Sequence, residues 1–99
     1  MPKININDHL EGADIAVPVF VKDLSQGAMK VVILDGDYPF HSHDTSDETF
    51  IILEGELNMD REGLPSLSLT AGDVVTIPKG VKHRTRTQSI SKVILLGPN

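Results

Sequence analysis

Three histidines and one glutamate carry the chemistry this chain offers: His41, His43, Glu48 and His83. His41 and His43 lie two residues apart, and on an extended backbone such residues point to the same side, so both rings can converge on one point. A metal ion held at about 2.1 Å from each ring nitrogen demands that convergence. Glu48 opens an apolar run and shares parity with Phe50 and Ile52, which sets its carboxylate on one face with them. His83 follows the turn Pro78-Lys79-Gly80, whose backbone can return a distant strand toward the first two histidines. Three imidazoles and a carboxylate form a nitrogen-rich donor set suited to one divalent ion among Fe, Mn, Zn, Ni and Cu. One or two coordination positions would stay open for water or substrate. Taken singly, each residue has a plainer reading: a surface His-x-His pair, a solvated carboxylate at a strand start, a turn histidine. Only the spacing of the whole set points to metal.

Short extended segments must position such a set. Residues 17–21, 29–34, 49–53, 67–69, 74–77 and 93–96 are short, rich in β-branched residues and separated by Gly- and Pro-containing turns. No stretch shows a helical apolar stripe over three turns, so the pattern predicts an antiparallel sandwich or barrel. Residues 31–34, 50–53 and 93–96 are apolar on both strand faces, and the barrel interior covers only one of them. A symmetric homodimer is the expected cover for the other, with a folded-back N-terminal segment as the alternative.

At 99 residues and 39% hydrophobic the sequence has room for one domain with one core. It contains no cysteine, so disulfides and thiolate metal sites are excluded and a metal must be held by nitrogen and oxygen. No apolar run approaches the roughly 20 residues of a membrane span, and the N-terminus lacks the pattern of a signal peptide, so a cytoplasmic protein without a membrane partner is expected. The net charge of −5 argues against a nucleic-acid partner. Lys79, Lys82, Arg84, Arg86 and Lys92 concentrate positive charge locally, read as solvated strand faces or, less simply, as a field for a small anion. His9, in a polar N-terminal stretch, reads as a surface residue.

The motif Gly36-x4-His41-x-His43-x4-Glu48-x6-Gly55 resembles the first cupin motif, and Gly72-x5-Pro78-x-Gly80-x2-His83 resembles the second. The resemblance implies an all-β fold, a small antiparallel β-barrel or double-stranded β-helix of the jelly-roll type, as a single domain over residues 1–99 with its motifs at 36–55 and 72–87. It also implies that His41, His43, Glu48 and His83 are the metal ligands, and that Gly55, Gly72, Pro78 and Gly80 form structural turns. Two departures stand out. The family usually has one more residue between the first Gly and the first His, which shifts a loop, and commonly an Asn where this chain has Thr87, outside the ligand set.

Cupins include isomerases, epimerases, dioxygenases, lyases, decarboxylases and non-catalytic sugar-binding modules, so the fold does not choose a reaction. If residues 82–87 form a strand, His83, Thr85 and Thr87 face inward while Lys82, Arg84 and Arg86 face outward. Phe50 and Ile52, with Tyr38 or Phe40 near the mouth, supply apolar walls, giving a pocket without a fixed cation. No lysine or second aspartate shows evident inward parity, which leaves Tyr38 as the candidate proton-transfer residue. The expected function is a small metalloenzyme acting on a small oxygen-rich metabolite, of isomerase, lyase or dioxygenase type. The alternative is a non-catalytic, carbohydrate-like binding module in which the metal anchors a ligand or stabilises the barrel.

Overall fold

The computed structural model describes residues 3–98. A short helix, α1 (Ile6–Leu10), precedes eight strands: β1 (Val19–Leu24), β2 (Gly27–Leu34), β3 (Glu48–Glu54), β4 (Glu56–Arg61), β5 (Leu67–Thr70), β6 (Val74–Ile77), β7 (His83–Thr87) and β8 (Ser91–Gly97). They form two antiparallel sheets, β1-β2-β8-β3-β6 and β5-β4-β7. The period-2 rule decides which side chains meet between them. Val32, Leu34, Phe50, Ile52, Ile77 and Val93 of the larger sheet pack against Leu57, Met59 and Leu69 of the smaller in one buried cluster. The chain thus adopts the expected all-β jelly roll.

One strand escapes the expectation. Residues 56–61 carry only two apolar side chains, Leu57 and Met59, which alternate with Glu56, Asn58 and Asp60; both are almost wholly buried. Glu54-Gly55-Glu56 is a corner within a continuing path rather than the end of a strand, and it passes the chain from the large sheet to the small one. Gly55 makes the corner possible. Its φ is +95°, and a Cβ there would meet the Ile90 carbonyl oxygen at 2.6 Å.

The outer face of the large sheet is covered in part by the N-terminal segment. Asn5 caps α1 by accepting the Asp8 N–H at 3.2 Å. Leu10 then buries against Val21 and Val31, with Ile6, Ala13, Met29, Ile33 and Ile94 packed around them. The folded-back segment therefore takes up much of the apolar outer surface that two-sided strands present. Farther along the same face, Leu53 and Val74 remain exposed.

Candidate metal centre

His41, His43, Glu48 and His83 reach one place by three different backbone routes. Glu48 is the first residue of β3, opposite Ile77, and its parity with the buried Phe50 and Ile52 turns its carboxyl inward. His83 opens β7 and is 1% exposed. His41 pairs with it through two backbone hydrogen bonds, His41 N–H to the His83 carbonyl at 3.0 Å and the reverse at 2.9 Å. His43 is not on a strand: its carbonyl accepts the Gly80 N–H at 2.7 Å, while Asp47 Oδ1 accepts the Lys79 N–H at 2.9 Å. These bonds pin the Pro78-Lys79-Gly80 turn to the loop before β3. A Cβ added to Gly97 would lie 3.3 Å from Glu48 Cγ, so glycine there leaves the carboxylate its place.

One ligand atom from each of the four lies within 4.8 Å of all the others, a group that could hold a metal ion. Its hydrogen bonds orient the donors. The Val81 carbonyl accepts from His83 Nδ1–H at 2.9 Å, and the Pro39 carbonyl accepts from His41 Nδ1–H at 3.3 Å, tautomers assigned from those partners. Both assignments leave the Nε2 lone pair free to ligate. His83 Nε2 then faces Glu48 Oε1 at 3.3 Å, with His43 Nε2 at 3.2 Å from the same oxygen. Lone pair against carboxylate is repulsive unless a cation lies between, so the donor set fits a divalent metal or, without one, a proton. Burial pushes the Glu48 pKa up, but the hydrogen bond to His83 and the charges of the three histidines outweigh it and hold the carboxyl below its usual range. Burial pushes His83 down, and its bonds to Glu48 and the Val81 carbonyl more than reverse that.

Three of the four, His41, His43 and Glu48, stand at a cavity of about 480 Å³, within the usual range of small-molecule pockets, with His83 buried behind them. Phe50, Tyr38 and Thr85 line it, together with Val32, Leu34 and Leu95; His41, His43 and Glu48 lie in its wall. Ile52 and Thr87 do not line it. Ile52 is two residues farther along β3 and belongs to the core cluster, and the Thr87 hydroxyl accepts the Gly36 N–H at 2.7 Å. The Tyr38 hydroxyl accepts the Asp35 N–H at 2.9 Å, which fixes it beyond the end of β2. Phe40 is exposed, with the Arg84 guanidinium stacked over its ring at 4.7 Å.

The pocket is not without a cation. Lys30 lies in its wall, on β2 in step with Ala28, Val32 and Leu34. Its parity is hidden in the sequence because Met29, Val31 and Ile33, on the opposite face, are also apolar, so residues 28–34 show no polar alternation. Counting by twos from Val32 is the signal that finds it. Three of the C-terminal cations are otherwise occupied. Arg84 and Arg86 bind the Asp60 carboxylate across β4 and β7, and Lys92 sits 3.5 Å from Glu54.

A family model described as Cupin domain matches residues 29–96. The uncharacterized protein YdbB of Bacillus subtilis (strain 168) is 39% identical over 67 residues, which are 68% of this chain and 59% of that protein. The dimethylsulfoniopropionate lyase DddQ of Ruegeria pomeroyi is 46% identical over 50 residues, 50% of this chain and 24% of the lyase. This chain thus spans less than two thirds of either relative. A cupin-2 domain containing protein from Shewanella frigidimarina has a crystal structure that superposes with a TM-score of 0.89 at 29% identity, covering 97% of this chain and 94% of that one.

Proposed function

The chain belongs to the cupin domain family, and from that premise we propose that it is a small metalloenzyme of isomerase, lyase or dioxygenase type acting on a small oxygen-rich metabolite. One observation carries the proposal: three imidazoles and a carboxylate converge within 4.8 Å of one another, and two of the imidazoles and the carboxylate lie in the wall of a cavity sized for a small molecule. His41, His43, Glu48 and His83 would hold one divalent ion, of Fe, Mn, Zn, Ni or Cu. Such an ion supplies Lewis acidity toward a carbonyl, carboxylate or hydroxyl oxygen of the substrate.

The chain's own groups do the rest. His83 is buried and held by Val81, so it is the rigid member of the set, while the exposed His41 and half-buried His43 flank the approach from the cavity. Phe50, Val32, Leu34 and Leu95 exclude water from the carbon skeleton of a bound molecule. Thr85 offers a hydroxyl beside them. Tyr38 is the proposed proton-transfer residue; with its oxygen accepting from Asp35, its own proton is free to be donated into the cavity. The lyase relative supports the lyase reading. Two ionisable side chains in the cavity besides the ligand set, Lys30 and Tyr38, favour an enzyme over a purely apolar binding module. A single domain, a homodimeric state and a cytoplasmic location complete the proposal.

Elemental analysis of protein purified without chelator or histidine tag tests it. About one divalent ion per chain is expected, with His43→Ala and His83→Ala losing most of it and His9→Ala keeping it. Full metal in all three variants, or no uptake of Fe(II), Mn(II), Zn(II) or Ni(II) by the parent chain, would defeat the assignment.

A further inference from the structure

A lysine facing the interior of a small barrel has a cost: its ammonium gives up water, and its long stem gives up rotamer freedom. Lys30 takes such a position. Ala28, Val32 and Leu34 share its face of β2, and all three are buried. Its neighbour across β8 is Leu95, and that residue's neighbour across β3 is Phe50. Among the described residues, no ion pair or hydrogen bond engages the Lys30 ammonium. Three other cations on neighbouring strands have plainer roles: Arg84 and Arg86 pair with Asp60, and Lys92 with Glu54.

The register gives Lys30 a place relative to the metal ligands. Lys30, Leu95 and Phe50 form one row across three adjacent strands, and Glu48 lies two residues from Phe50 along β3. Two strand spacings are about 10 Å and two residues along a strand about 7 Å, so the Lys30 and Glu48 backbones stand roughly 12 Å apart on one inward face. Both side chains point inward from that face, and with the flexible lysine stem leaning toward the ligands a molecule of a few carbons can reach from the ammonium to the ligand group. The wall between them is apolar, made by Leu95 and Phe50.

We infer that Lys30 is the anchor for a carboxylate at the end of the substrate remote from the metal, so that the cavity selects small organic acids carrying a second oxygen function. The inference rests on the proposed metal site and narrows it to a substrate class. The two ends divide the work. The four-ligand group takes one oxygen terminus, Lys30 takes an anionic terminus by charge-assisted hydrogen bonding, and the intervening carbons lie on Leu95 and Phe50. On a chain of net charge −5, this pocket would be a local well for anions.

The test uses the full chain loaded with Zn(II), its metal content measured first, titrated calorimetrically with succinate and glutarate and with their monocarboxylate counterparts butyrate and pentanoate. Dicarboxylates are expected to bind at least tenfold more tightly than the monocarboxylates of equal length. Lys30→Met, which keeps the length of the stem and a normal metal content, is expected to erase that preference. Lys30→Arg is expected to keep most of it. A loaded parent chain without the preference, or a loaded Lys30→Met chain that retains it, overturns the anchor and leaves the metal site standing. A chain that takes up no metal overturns both, and elemental analysis shows this before any titration begins.

Discussion

At the scale of single residues, the acidic groups of this protein do two kinds of work. Glu48 is drawn into a cluster with three histidines that could hold a metal ion. Asp60, on the outside of the small sheet, is instead saturated: it accepts from Arg84 Nε at 2.8 Å, from Arg86 Nη2 at 3.0 Å and from Ser66 Oγ at 2.7 Å. The hydrogen bonds from Arg86, then Arg84 and Ser66, hold its carboxyl far below the usual carboxylate range. A depressed folded pKa means the stabilisation is fully present above the unfolded value of about 3.9 and is lost as the pH falls below it. Asp60→Asn is therefore expected to lower Tm at pH 7, and to flatten the loss of stability between about pH 4 and pH 2. Thermal melts of both proteins across that range check this. Parallel acid limbs would show that Asp60 is not what titrates.

At the scale of elements, the corner at Gly55 and the cover made by α1 are the two places where the fold depends on a local choice. Gly55→Ala puts a methyl against the Ile90 carbonyl in a backbone region that alanine avoids, and is expected to cost about 2–3 kcal/mol. Val31 is wholly buried beneath α1, and Val31→Ala is expected to cost about 2 kcal/mol by the loss of its contacts with Leu10 and Val21. Urea unfolding of the two variants measures both. If deleting residues 1–12 left the Val31→Ala difference unchanged, α1 would not be what covers this strand.

At the scale of the whole molecule, the remaining question is what the outer face of the large sheet meets beyond α1. Leu53 and Val74 are exposed there, and a self-complementary contact over them is the proposed homodimer interface. Sedimentation at micromolar concentration is expected to give twice the chain mass, with Val74→Lys or Leu53→Lys returning it to the monomer. A monomeric parent chain would remove the dimer. The proposed metal bears on this scale too, because an ion held by residues of β3, β7 and the loop between β2 and β3 would tie both sheets together. Removing it by chelation is expected to lower Tm, by an amount that grows with the free metal concentration of the reference sample and corresponds to about 4 kcal/mol at a thousandfold excess over Kd.

Much of this was legible along the chain, because parity and turn chemistry are local. Period-2 alternation sets Glu48 in line with Phe50 and Ile52, the β-branched runs mark most strands, and two ordered motifs mark the four candidate ligands and the jelly-roll fold that carries them. What parity cannot supply is depth and adjacency. It gives a side chain its face but not its row, so Ile52 and Thr87 share the inward face of Phe50 and Thr85 yet lie outside the cavity. It also fails where both faces are apolar, which hid Lys30, and where an apolar pair is set among charges, which hid β4. The tertiary structure decided these points because strand pairing is non-local: His41 meets His83, and Lys30 enters the row of Leu95 and Phe50, only once distant segments have closed into a barrel.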